Sequence, residues 1–154
     1  MNPYLEIVDS FKLRAQRFPA LLAMTDGRVG ARENRGVTLS ADKRAALIWG
    51  LEHENPVVRR CCLELLDQHP DPEALPHIVT RLHDPVPRVR WHAVHALLCD
   101  ACKPGAAYAC DPEIIDRIRT VATNDPSTKV RAQTAYGLEQ LSVRTIAESF
   151  GRAQ

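Results

Sequence analysis

Between residues 92 and 110 the chain reads HAVHALLCDACKPGAAYAC, which places two histidines and three cysteines within a short stretch. Thiolate and imidazole are the usual ligands of zinc. Cys99 and Cys102 form a CxxC pair, Cys110 follows eight residues later, and His95 stands one helical turn before Cys99. Those four could approach a tetrahedral site, whereas His92 would lie about 15 Å from Cys102 along a helix rising 1.5 Å per residue. Two other chemistries compete. The thiols could simply pack in a loop, the reading we favour, so no resident cofactor is expected and zinc is the alternative. The pair could also be redox-active, but a CxxC at the end of a helix meets a dipole that opposes thiolate formation, unlike one at a helix start.

No HExxH or GxSxG occurs, and His92 and His95 have no third carboxylate at metal-site spacing, so the sequence contains no recognisable catalytic constellation. A second candidate is the glycine-containing loop TDGRVGARENRG at 25–36, with Arg28, Arg32 and Arg35. It reads first as a solvated linker and alternatively as an anion-contacting loop, since glycine lets backbone N–H groups approach a phosphate. It lacks the lysine and hydroxyl of a P-loop, which argues against nucleotide. The 20 basic and 19 acidic side chains leave a net charge of +1, so no overall field draws the chain to nucleic acid or acidic membrane. With no apolar run of signal or membrane-span length, and an odd count of five cysteines, the protein is expected to be cytoplasmic with reduced thiols.

The elements that must position these residues repeat. The segments PVVRRCCLELL (56–66), PRVRWHAVHALL (87–98) and STKVRAQTAYGL (127–138) align on the pairs Val58-Arg59, Val89-Arg90 and Val130-Arg131. Each follows a helical stretch, at 41–54, 72–83 and 112–124; in the middle one Leu75, Ile78, Val79 and Leu82 form a single buried stripe. An Asp or Asn followed by Pro recurs at Asn55, Asp71, Asp84, Asp111 and Asp125, and predicts a capping oxygen with proline at the first helical position. The unit is thus two antiparallel helices, A then B, which must stack on neighbours to bury both faces. On each B helix, offsets 0, +4, +7 and +8 from the valine fall on one side and predict the core: Val58, Cys62, Leu65 and Leu66, then Val89, Ala93, Ala96 and Leu97, then Val130, Thr134, Gly137 and Leu138. The arginines after the valines read as structural, pairing with the capping Asp of an adjacent turn.

The segments DPVPRVRWHAVHALL and DPSTKVRAQTAYGLEQL resemble the second half of HEAT-like repeats, of the short kind also found in phycobilisome lyases, over residues 38–142. The resemblance implies an all-α single domain, a right-handed α-solenoid of about three helix pairs. Residues 1–37 would supply an N-terminal helical cap and the loop, 38–142 the repeats, and 143–154 a C-terminal helix or tail. It further implies that B helices line the concave face. Offsets +2, +3, +6 and +10 then place Arg60, Cys61, Glu64 and Gln68 there from the first unit, Trp91, His92, His95 and Cys99 from the second, and Ala132, Gln133, Tyr136 and Gln140 from the third. A tryptophan among polar groups with a tyrosine one unit away has the composition of a protein-binding hot spot; alternatively, the cap covers Trp91. Arg60, Glu64, Trp91, His92, His95, Gln133 and Tyr136 are the candidate partner-binding residues. The expected function is a non-catalytic adaptor that binds another protein. The alternatives are an enzyme or enzyme subunit of the DNA-repair or chromophore-lyase branches of that family, and a metal- or redox-responsive regulator built on the cysteine insert.

Overall fold

A computed structural model describes residues 1–99 and 111–151, and no strand occurs among them. The chain opens with α1 (Leu5–Asp9), a 3₁₀ turn (Ser10–Lys12), α2 (Arg14–Met24) and the short α3 (Gly30–Asn34). Three helix pairs follow: α4 (Ala41–Leu51) with α5 (Pro56–Gln68), α6 (Leu75–Thr80) with α7 (Pro87–Leu98), and α8 (Pro112–Asn124) with α9 (Thr128–Gly151). Helix α5 packs on α7 and α7 on α9, so the second helices form one continuous layer. This is the small α-solenoid that the repeat implies.

The core follows the predicted helix phase closely. Val58, Cys62, Leu65, Leu66, Val89, Ala93, Ala96, Leu97, Val130 and Thr134 are all buried, Leu138 packs partly against them, and Gly137 alone of the predicted set is half-buried outside the core. In the last unit the buried Thr134 donates its hydroxyl to the Val130 carbonyl, which satisfies the one polar group on that stripe. Cys61 departs from expectation. Its offset places it on the concave face, yet it is fully buried, because α1 and the 3₁₀ turn cover that side of α5. Burial pushes its thiol up to about 11 and that of Cys62 well above the usual range, so both are inert packing groups.

The Asx-Pro signals act in two ways. Asn55 and Asp111 cap α5 and α8 as predicted, with proline in the first turn. Asp71, Asp84 and Asp125 accept from the same N–H two residues on, of Glu73, Val86 and Ser127, but there the helices begin later. At Asp84 the cause is Pro87, which disfavours helical backbone at Val86; Val86 sits at φ −95°, ψ 118°, and the helix cannot start before it. The expected helix at 72–83 is shortened for a related reason. Pro76 lacks an N–H and is tolerated only in a first turn, so α6 starts at Leu75 and closes with a 3₁₀ turn at Arg81–His83.

The turns are tied to one another by the repeated arginine. Arg59 donates through Nε (2.7 Å) and Nη2 (2.9 Å) to the two oxygens of Asp84, and through Nη1 to the carbonyls of His53 and Glu54. One unit on, Arg90 does the same with Asp125 (2.6 and 2.8 Å) and with the carbonyl of Asp84. Each arginine therefore closes its own A–B turn and grips the next. Arg131 reaches back to the Asp125 carbonyl, and its other hydrogen bond goes to the Thr128 hydroxyl within its own helix.

Candidate functional site: the groove between the second helices

Between helices α7 and α9 lies a groove of about 580 Å³, lined by Trp91, Val94, His95, Leu98 and Cys99 from the first and by Ala132, Gln133, Tyr136, Gly137, Gln140 and Leu141 from the second. Tyr136 is 63% exposed, and Trp91 is half-buried with its ring edge-on to His95 at 5.8 Å between centroids. Gly137 keeps the groove floor close, since a side chain there would meet Leu98 Cδ1 at 3.0 Å. On the other side of Trp91 a second, more polar hollow of about 440 Å³ is lined by Arg88, His92, Lys129 and Gln133. Neither hollow is lined by any residue before Pro87, so the N-terminal cap does not form their walls.

The seven candidate binding residues therefore separate. Trp91, His95, Gln133 and Tyr136 share the groove, and His92 joins Trp91 and Gln133 in the adjoining hollow. Arg60 and Glu64 are paired with each other one helical turn apart, and Glu64 faces a small cleft against Phe18, Leu21 and Arg28 of the cap and loop. Burial holds the His92 imidazole down to about 4, assisted by Arg60, Arg88 and His95 and opposed by Asp67. Glu64 lies 3.7 Å from its Nδ1, but that carboxylate is already engaged by Arg60. His92 is thus a neutral group at physiological pH.

Sequence phase missed Val94, Leu98 and Leu141, whose apolar side chains give the groove its character. It also missed Asp67. This residue stands nine positions after its unit's valine, where the second unit has Leu98 and the third Glu139, so its carboxylate character was the one available signal. Asp67 is buried, with Oδ2 3.2 Å from His95 Nδ1, and one ligand atom each from Asp67, His95 and Cys99 lie within 4.8 Å of one another. Of the expected metal ligands, His95 and Cys99 are thus brought together, while Cys102 and Cys110 lie outside the described residues.

In the loop at 25–36, Arg28 braces its own turn, donating from Nε to Asn34 Oδ1 and pairing with Asp26. Asn34 is buried and donates to Gln68 Oε1, which docks the loop onto α5. Arg32 and Arg35 stand exposed. Gly27 and Gly36 take left-handed backbone at φ 82° and 78°, so their role here is to turn the chain.

Stacked helix pairs whose second helices form one layer define a small α-solenoid. Residues 44–139 match the family model described as HEAT repeats, and the chain belongs to that family. The match is to HEAT repeats as such, without the phycobilisome-lyase subtype. Comparison with curated proteins and with solved structures returned no match. No helix among the described residues is long and apolar enough to cross a membrane.

Proposed function

We propose that the protein is a non-catalytic adaptor that binds another protein along the groove between α7 and α9. The observation that carries this reading is the exposed Tyr136 facing the half-buried Trp91 across an apolar floor of Val94, Leu98 and Leu141. Aromatic side chains so placed supply large contact area at low entropic cost, and a few of them dominate typical interfaces. Gln133, Gln140 and His95 edge the floor with groups that can hydrogen-bond a partner's backbone. The near-zero net charge agrees with a protein partner better than with nucleic acid.

The test is a photo-crosslinking amino acid introduced in cells at Gln133, in the groove, and separately at the exposed Arg117 of α8. The Gln133 position should yield a discrete protein adduct that disappears with Tyr136→Ala, and Arg117 should not. Equal crosslinking from both positions, or an adduct insensitive to Tyr136→Ala, would exclude the groove as the binding face.

A further inference from the structure

We infer that Asp67, His95 and Cys99 form a binding site for a zinc-class divalent cation, independent of the adaptor reading. The three residues come from two different repeats. Asp67 is the penultimate residue of α5, whereas His95 and Cys99 are one turn apart at the end of α7. Packing of α5 on α7 brings their ligand atoms within 4.8 Å of one another. Around a tetrahedral zinc, with bonds of about 2.0–2.3 Å, ligand atoms lie roughly 3.3–3.8 Å apart. Closing the triad therefore requires its ligand atoms to approach one another by about an ångström, a distance within the reach of side-chain rotation.

Three features select this cation class. A carboxylate oxygen, an imidazole nitrogen and a thiolate sulfur together suit a borderline-soft ion and exclude magnesium or calcium, which take oxygen. The site lies at the C-terminal ends of two adjacent helices, where the unpaired carbonyls place negative potential that favours a cation. The Asp67 side chain is 7% exposed while that of His95 is 39% exposed, so the site is anchored in the stack and reachable from the groove side. Three protein ligands leave one coordination position of a tetrahedral ion for water or for a donor group of a bound partner. His95 and Cys99 also line the groove. A bound ion would therefore fix the His95 ring against Trp91 and place a Lewis-acidic point at the groove's edge.

Binding is measured on the full reduced chain by competition between zinc and a chromophoric chelator, with cobalt(II) as a spectroscopic substitute. One equivalent of zinc is expected, and the cobalt form should show a thiolate-to-metal charge-transfer band that is absent in Cys99→Ser. Asp67→Asn, nearly isosteric, should weaken zinc by at least about tenfold. Thermal unfolding in chelator checks its fold, and the half-exposed His95→Gln serves as the second ligand variant should Asp67→Asn be unstable. The assignment is overturned if the wild-type chain binds no zinc, or if Asp67→Asn and His95→Gln retain wild-type affinity. It is equally overturned if Cys102→Ser and Cys110→Ser abolish binding while the Asp67 variant does not, which would place the ion in the insert alone.

Discussion

Arg90 joins two repeats with one side chain. Its fork neutralises Asp125, whose carboxyl burial alone would raise but which Arg90 and the Ser127 N–H hold below its ordinary value. Truncating Arg90 leaves that buried carboxylate without its fork, so Arg90→Ala should cost about 3–5 kcal/mol in urea unfolding. Arg90→Lys should recover little, because an ammonium cannot make the paired contact and reach the Asp84 carbonyl as well. Arg131, half-buried at the end of the series, should cost about 1 kcal/mol or less on truncation. Equal losses at the two positions would mean that the carboxylate contact adds nothing. The structural role of these arginines was legible because the valine-arginine pair and the Asx-Pro turn recur together. The carboxylate at Asp67 was not, because its repeat offset holds Asp67, Leu98 and Glu139 in turn, with no common residue type, and only packing shows what faces it.

At the scale of elements, the join between cap and stack rests on Gly50 of α4. A methyl group added there would meet Val8 Cγ1 at 2.6 Å and the Cys62 sulfur closer still, and both neighbours are fully buried. Gly50→Ala should therefore destabilise by about 1–3 kcal/mol through overpacking, although alanine is the better helix former. Its signature should be early hydrogen exchange at Val8 and Phe11, with the amides of α7 unaffected. Leu97→Ala, by contrast, opens a cavity in the middle of the stack and should cost about 2–5 kcal/mol with exchange rising across all three pairs. If both variants loosen the same amides, cap and stack unfold as one unit. The Asx-Pro signal made the bounds of α8 readable to the residue, whereas α7 starts two residues after the proline that Asp84 precedes. Helix periodicity could not show that α1 covers Cys61 or that Gly50 is a contact surface, since both depend on how the non-repeating segment docks.

At the scale of the whole molecule, two histidines contribute to the response to acid. His69 is buried, its Nδ1 2.6 Å from the Val37 carbonyl and Nε2 without a hydrogen-bond partner among the described residues. Burial lowers its pKa more than the carbonyl contact raises it, and Arg28 and Lys43 add to the lowering. His92 is held down to about 4 by burial and by Arg60, Arg88 and His95. Both imidazoles are protonated more readily in the unfolded chain, where the ordinary value is 6.5, than in the folded one. The unfolded state therefore binds more protons below that pH. Their contribution to stability is complete above about pH 6.5 and declines below it, for His92 until pH reaches about 4. For His92, with 19% of its side chain exposed and hence partly screened, the loss should be on the order of 2 kcal/mol. Urea midpoints taken from pH 7 to 4.5 in the presence of chelator should fall steadily for the wild-type chain and flatten for a His69→Gln/His92→Gln variant. The midpoint of that variant should lie below wild type at pH 7 and approach it at pH 4.5, since removing a destabilised imidazolium offsets its lost packing only where the imidazole would be charged. A wild-type midpoint unchanged down to pH 4.5 would mean that both rings reach solvent before they are protonated, and that the loop at Val37 opens far below the cost of unfolding the stack.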